Sequence, residues 1–142
     1  MPRWRLFYHL VWATRGREPL ISPAREAGVH RVLRETARHH GVIVHAVGGV
    51  ADHVHLAVSI PPSLAVATAI QRIKGGSARV LNAEFGDGFG WQVDYGVDTF
   101  SERQLTRVVD YIEQQHRHHA EQTLWPSIEE IPEPAAHPTH EG

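Results

Sequence analysis

The chain has 142 residues, of which 42% are apolar and 21% charged, and it contains no cysteine. This length and composition predict one globular domain, and the lack of cysteine excludes disulfides, thiolate metal sites and a cysteine nucleophile. No apolar run approaches the roughly 20 residues of a membrane span, and the first residues lack a signal-peptide pattern, so we expect a cytoplasmic protein without a membrane partner.

The net charge of −2 conceals a division between the two parts of the chain. Through Phe85, eleven basic residues accompany five acidic ones, whereas from Gly86 onward three basic residues accompany eleven acidic ones. Charge asymmetry of this kind indicates nucleic acid as a candidate partner of the basic part. Two solvated surfaces of opposite sign would explain the same charges.

The predicted elements alternate between strands and helices. In chain order they are a strand over 6–14, a helix from Pro23 to Gly41, strands over 42–47 and 53–60, a helix after Ser63, an extended stretch over 95–100 and a last helix after a capping box of Ser101 and Gln104. This order predicts an α+β fold, a ferredoxin-like split βαβ sheet with helices on one face, the other face partly open, and a C-terminal helix that carries Tyr111.

Composition changes near Trp125. Residues 1–125 are predicted to form the domain, and residues 126–142 an acidic, proline-rich and flexible tail without a packed element.

His53 and His55 alternate with branched aliphatic residues along the third strand. Since side chains alternate across a strand, both imidazoles face away from the core that Val54 and Leu56 enter. Two imidazoles at this spacing can share one metal ion. Two exposed histidines on a strand also arise by chance, so the pair alone does not decide between these interpretations.

Tyr111 and Gln115 are four residues apart in the last predicted helix and therefore share one face. A tyrosine at that position can simply be half-buried with its hydroxyl in water. Its hydroxyl can also attack a phosphoryl group polarised by a histidine-bound metal ion, with Gln115 as a further oxygen ligand.

Four groups of residues together resemble the single-tyrosine HUH transposases of the insertion-sequence 200/605 type, including REP-associated tyrosine transposases. They are the first strand with its basic turn (Tyr8 to Trp12, Arg15 and Arg17), His53-Val54-His55, Ile73-Lys74-Gly75 with Ser77-Ala78-Arg79, and Trp91-Gln92 with Tyr111 to Gln115.

The resemblance implies a transposase that cleaves and transfers single-stranded DNA of a mobile element. It implies Tyr111 as the nucleophile that forms a 5′-phosphotyrosine bond, and His53, His55 and Gln115 as ligands of one divalent ion, Mg²⁺ or Mn²⁺, with no organic cofactor. It further implies hairpin-forming DNA as partner and a homodimer. Tyr95 is a second candidate nucleophile. The alternative is a domesticated, non-catalytic relative that binds DNA hairpins or has a regulatory role.

The basic residues differ in their suitability for DNA contact. Candidate phosphate contacts lie in a turn or beside Gly75-Gly76, where the backbone allows close approach: Arg15, Arg17, Arg72, Lys74 and Arg79. The arginines of the first helix, Arg31, Arg34 and Arg38, are interpreted as a solvated stripe. His116, His118 and His119 are interpreted as a solvated helix end.

Overall fold

The computed structural model describes residues 2–86 and 88–132. The strands are β1 (Phe7–Ala13), β2 (Ile43–Val50), β3 (His53–Ser59) and β4 (Gly96–Phe100), and the helices are α1 (Pro23–His39), α2 (Val66–Phe85), α3 (Leu105–Glu113), α4 (Gln115–Glu121) and α5 (Pro126–Glu129). No helix in these two ranges is both long and apolar enough to cross a membrane.

The four strands form one sheet in the order β2-β3-β1-β4, and every neighbouring pair is antiparallel. Helix α1 connects β1 to β2 with β3 between them, and α2 connects β3 to β4 with β1 between them. This is the split βαβ arrangement, so the predicted α+β, ferredoxin-like fold is confirmed.

The two faces of the sheet carry separate apolar clusters. Beneath α1 and α2 lies the larger one, which includes Leu10, Trp12 and Leu56. On the opposite face a smaller cluster joins β2 and β3 to α3 through Ala57 and Ile112. The face that the sequence predicted to be partly open is therefore covered, because the apolar stripe of α3 packs on it.

Close packing of α3 against β2 depends on a glycine. A Cβ atom at Gly48 would lie 1.9 Å from the carbonyl oxygen of Ile112 and 2.8 Å from its carbonyl carbon. Only a residue without a side chain allows the strand and the helix backbone to approach this closely. Gly48 lies inside β2, which extends to Val50, whereas the sequence predicted that this strand ends at residue 47.

The C-terminal part differs from the predicted single helix followed by a tail. Gln114 interrupts the helix, and Ser101 makes no side-chain cap hydrogen bond to the short 3₁₀ turn that precedes α3. Pro126–Glu129 form α5, whose Ile128 is buried, although the sequence predicted no packed element after Trp125. Residues 133–142 of the predicted tail lie outside the described residues.

Candidate active site

Side chains from four elements meet on the sheet face that α3 covers. Strand β3 supplies His53 and His55, α3 supplies Tyr111, and Gln115 begins α4. Helix α5 contributes Glu129, whose carboxylate lies between the other four side chains. Three of these elements are separate helices, so their packing on the sheet decides the geometry of the site.

The Glu129 carboxylate contacts all four predicted site residues. Its Oε1 atom lies 3.3 Å from Nε2 of His53 and 3.2 Å from Nε2 of His55. Its Oε2 atom accepts hydrogen bonds from the Tyr111 hydroxyl and, over 3.2 Å, from Nε2 of Gln115. The structure thus brings the predicted nucleophile and the three predicted metal ligands together around one anionic group.

Two histidine nitrogens are suited to hold a metal ion. The ligand atoms of His53, His55 and Glu129 all lie within 4.8 Å of one another. Nδ1 of His53 pairs with Oδ1 of Asp52 at 2.8 Å, which leaves Nε2 directed to the site, buried and without a hydrogen-bond partner. In metal-binding histidines, the ring nitrogen that does not bind the metal usually donates a hydrogen bond to a carboxylate, as Nδ1 of His53 can to Asp52. These residues therefore fit a divalent ion.

Burial and the Glu129 contact determine the protonation of the site. Burial alone would lower the pKa of His53, but the hydrogen bond with Asp52 and the nearby Glu129 carboxylate outweigh it and raise that pKa to about 9. Burial raises the pKa of Tyr111 to about 12, and the hydrogen bond with Glu129 adds to the effect. Burial would raise the pKa of Glu129, yet His53 and His55 hold it well below its usual range. The carboxylate is therefore ionised and the tyrosine hydroxyl protonated.

Gln115 lies at the site with its amide nitrogen toward Glu129. Its Oε1 atom, the atom that could bind a metal, is instead 3.1 Å from Nε2 of His119. The amide would have to turn over to present this oxygen to His53 and His55.

Sequence reasoning missed three residues around the site. Glu129 was assigned to the tail, and His118 and His119 to a solvated helix end. His119 lies 3.5 Å from the Glu129 carboxylate, and the His118 ring stacks on the Tyr111 ring with 4.5 Å between centroids. The density of histidines after Tyr111 was the available signal; nothing local to Glu129 indicated its position.

The basic turn lies beside the site. The Thr14 hydroxyl donates a hydrogen bond to the carbonyl of Asp52, which joins the turn to the start of β3. The hydrogen bond with His53 lowers the pKa of Asp52, and the charge of Arg17 contributes to the same shift. The Arg15 guanidinium donates to the carbonyl of Gly88. Both arginines are exposed.

The other predicted contacts are not brought to the site. Lys74 and the exposed Arg72 and Arg79 belong to α2, which packs on the opposite face of the sheet. Nζ of Lys74 donates hydrogen bonds of 2.6, 2.9 and 3.1 Å to three consecutive main-chain carbonyls, residues 92–94. Tyr95, the second candidate nucleophile, packs against the cluster beneath α1 and α2 and is likewise separated from the histidines by the sheet.

Comparisons with known proteins show which proteins this chain is similar to. A family model described as "Transposase IS200 like" matches residues 2–115. The chain is 31% identical over 120 residues to the ISDra2 transposase TnpA of Deinococcus radiodurans, a match that covers 80% of this chain and 86% of that protein. It is 29% identical over 120 residues to the transposase for insertion sequence element IS200 of Salmonella typhimurium, with 80% of this chain and 78% of that protein covered.

Solved structures show the same fold. A crystal structure described as a transposase from Deinococcus radiodurans superposes with a TM-score of 0.65 at 30% identity, over 81% of this chain and 98% of that one. A REP-associated tyrosine transposase bound to a REP hairpin superposes with a TM-score of 0.59 at 14% identity, over 88% of this chain and 76% of that one.

Proposed function

The chain belongs to the family of IS200-like transposases, and we propose that it cleaves and transfers single-stranded DNA with Tyr111 as the nucleophile. Membership of the family makes the chain a transposase that acts in DNA transposition. The proposal adds the chemical step and the residues that perform it.

One observation carries the proposal: the Tyr111 hydroxyl, both histidines and Gln115 all contact the same carboxylate. A carboxylate and a phosphodiester are both oxyanions, and each accepts hydrogen bonds from the same donors. We therefore propose that the scissile phosphate takes the position of the Glu129 carboxylate when DNA binds. In that position the phosphorus lies next to the tyrosine oxygen that attacks it.

The proposed step is an exchange of phosphodiester bonds. The Tyr111 oxygen attacks phosphorus and forms an oxygen–phosphorus bond, while the bond from phosphorus to the 3′ oxygen of the preceding nucleotide breaks. The hydroxyl proton lost by the tyrosine is balanced by the proton that the departing 3′ oxygen gains. The products are a 5′-phosphotyrosine and a free 3′-hydroxyl, and attack by a 3′-hydroxyl reverses the step. Because bond types are conserved, no nucleotide cofactor is required.

His53, His55 and Gln115 are proposed to hold one divalent ion, Mg²⁺ or Mn²⁺. When bound, such an ion polarises a phosphoryl oxygen and stabilises the charge that develops on it. Gln115 supplies its Oε1 atom after the amide turns away from His119, while His53 and His55 use the nitrogens that now contact Glu129.

DNA contact is proposed at both groups of basic residues. Arg15 and Arg17 lie beside the site and contact phosphates of the strand that is cleaved. Arg72 and Arg79 lie exposed on the opposite face, where they suit a more distant part of a folded substrate. The amino group of Lys74 already donates to the carbonyls of residues 92–94, so its proposed contribution is to hold the loop on that face. Hairpin DNA is proposed as that substrate, since the REP-associated structure contains a hairpin on a similar fold. The homodimer implied by the resemblance stays a prediction.

The experiment that tests the proposal compares Tyr111→Phe with Tyr95→Phe. The full chain is incubated with a 3′-labelled single-stranded oligonucleotide that forms a hairpin, with Mn²⁺ or Mg²⁺, and covalent adducts are separated by denaturing electrophoresis. Tyr111→Phe should keep DNA binding and lose the adduct, while Tyr95→Phe should form it. An adduct in Tyr111→Phe refutes the role of this residue. Hairpin binding without cleavage by the unmodified protein, in either ion, supports the non-catalytic alternative.

A further inference from the structure

A third buried histidine lies next to the candidate metal site. His9 lies on β1, the strand adjacent to β3, and its side chain is 1% exposed. Its Nε2 atom is 2.8 Å from Nδ1 of His55, and its Nδ1 atom is 3.4 Å from Oδ2 of Asp98. Asp98 is the β4 residue directly opposite His9 in the antiparallel register. On β3 the residue opposite His9 is Ala57, and His55 lies two positions along on the same face, so Asp98, His9 and His55 form a row that crosses the sheet diagonally.

This row decides which nitrogen His55 offers to the site. Nδ1 of His55 is engaged by His9, and Nε2 is the atom that faces Glu129 at 3.2 Å. For Nε2 to carry a free lone pair on a neutral ring, the hydrogen of His55 must be on Nδ1 and be donated to Nε2 of His9. The hydrogen of a neutral His9 is then on Nδ1, where the Asp98 carboxylate accepts it.

We propose that His9 and Asp98 are positioning residues, which hold the His55 ring so that only its Nε2 atom can bind a metal ion. The inference rests on the metal site of the proposed function and adds two residues to its support. Asp52 holds His53 in the same manner, through Nδ1 at 2.8 Å. The two candidate ligands thus have matching supports, one directly from a carboxylate and one from a carboxylate through an imidazole.

The alternative is that His9 only satisfies a buried polar atom of the core. Burial and the neighbouring His55 lower the pKa of His9 to about 3, so a neutral imidazole is stable there in either case. The two explanations differ in metal affinity: a residue that only fills the core affects stability, whereas a positioning residue also affects how tightly the histidines bind an ion.

The experiment titrates the full-length protein with Co²⁺ alone, by calorimetry and by the visible spectrum of the bound ion, and records thermal unfolding of each variant. His9→Leu should raise the Kd for Co²⁺ by about tenfold or more, the usual effect of losing such a support. Asp98→Ala should raise the Kd in the same direction by less. Asp98→Asn, which keeps an oxygen acceptor, should bind as the unmodified protein does.

Glu102→Ala is the matched control, because it removes an exposed carboxylate just beyond the end of the same strand. An unchanged Kd in folded His9→Leu overturns the inference. If His9→Leu does not fold, equal Kd values for Asp98→Ala and Asp98→Asn overturn it. If the unmodified protein binds no Co²⁺, the metal site and this inference both fail. If His9→Leu and Asp98→Ala bind Co²⁺ with unchanged Kd values and still form the Tyr111 adduct, the positioning role is refuted and the proposed function stands.

Discussion

Gly48→Ala tests whether the packing of α3 on β2 sets the geometry of the site. The new Cβ atom would lie 1.9 Å from the Ile112 carbonyl oxygen, and such contacts are essentially never closer than 3.0 Å. The obstacle is helix backbone rather than the end of a flexible side chain. The strand and the helix must therefore separate by about 1 Å.

The displaced segment carries the proposed chemistry. Tyr111 immediately precedes Ile112, and Gln115 follows three residues later, whereas His53 and His55 remain on β3. A misplacement of about 1 Å can reduce a reaction that depends on alignment by about 100-fold. We expect that reduction in the rate of adduct formation, together with a loss of about 1 to 3 kcal/mol in the free energy of unfolding from overpacking.

Single-turnover adduct formation and urea unfolding measure the two effects. Gly28→Ala is the control, because this position lies inside α1 and its Cβ would meet only a side-chain oxygen, Oε2 of Glu84, at 4.0 Å. Alanine there should stabilise the protein by up to about 1 kcal/mol through helix propensity and leave the rate unchanged. A Gly48→Ala variant with the rate and stability of the unmodified protein would refute the reasoning.

Three further predictions concern single side chains. Glu129→Ala should strengthen binding of a single-stranded oligonucleotide by roughly tenfold or more, measured by fluorescence anisotropy, because charge-assisted hydrogen bonds of about 1.5 to 3 kcal/mol no longer hold a competing anion in the site; weaker binding would contradict this. Lys74→Met should lower the Tm, because three main-chain carbonyls lose their hydrogen-bond donor. Arg79→Ala, which removes an exposed side chain, should keep the Tm and reduce the slope of log K for DNA binding against log salt concentration by about one. A lower Tm for Arg79→Ala but not for Lys74→Met would contradict these roles. Ser77→Ala should cost about 1 to 3 kcal/mol in urea unfolding, because the Trp91 indole N–H loses its acceptor at 2.9 Å; unchanged stability would show that the indole finds another partner.

Predictions from the sequence were most accurate where a regular strand or helix fixes the direction of successive side chains. Alternation along β3 predicted that His53 and His55 share the face opposite Leu56, since a strand cannot place neighbours on the same side. Spacing of four likewise predicted that Tyr111 and Gln115 face one direction, and both side chains do reach Glu129. The first relation follows from backbone geometry alone, whereas the second also depends on how α4 continues after the interruption at Gln114.

Tertiary contacts decided the rest. A helix of four residues such as α5 has too few turns to show a period, and it is positioned by the burial of Ile128. The position of Glu129 follows from that packing, so its sequence neighbours gave no indication of it. The interruption at Gln114 is also invisible in the apolar pattern, and it begins the separate helix α4 on which His118 and His119 lie.

The Glu129 carboxylate affects which anions can enter the site. It is covalently tethered and 14 residues from Gln115, so it competes as an intramolecular ligand. Short flexible tethers give effective concentrations on the order of millimolar, and Glu129 is held more closely than that because α5 packs through the buried Ile128. If phosphate takes the place of Glu129 as proposed, inorganic phosphate or an isolated nucleotide would have to outcompete this tethered carboxylate. An oligonucleotide held elsewhere on the protein would instead deliver its own phosphate as a tethered competitor. The proposed exchange would therefore make the site discriminate by the length of the ligand before any base is read.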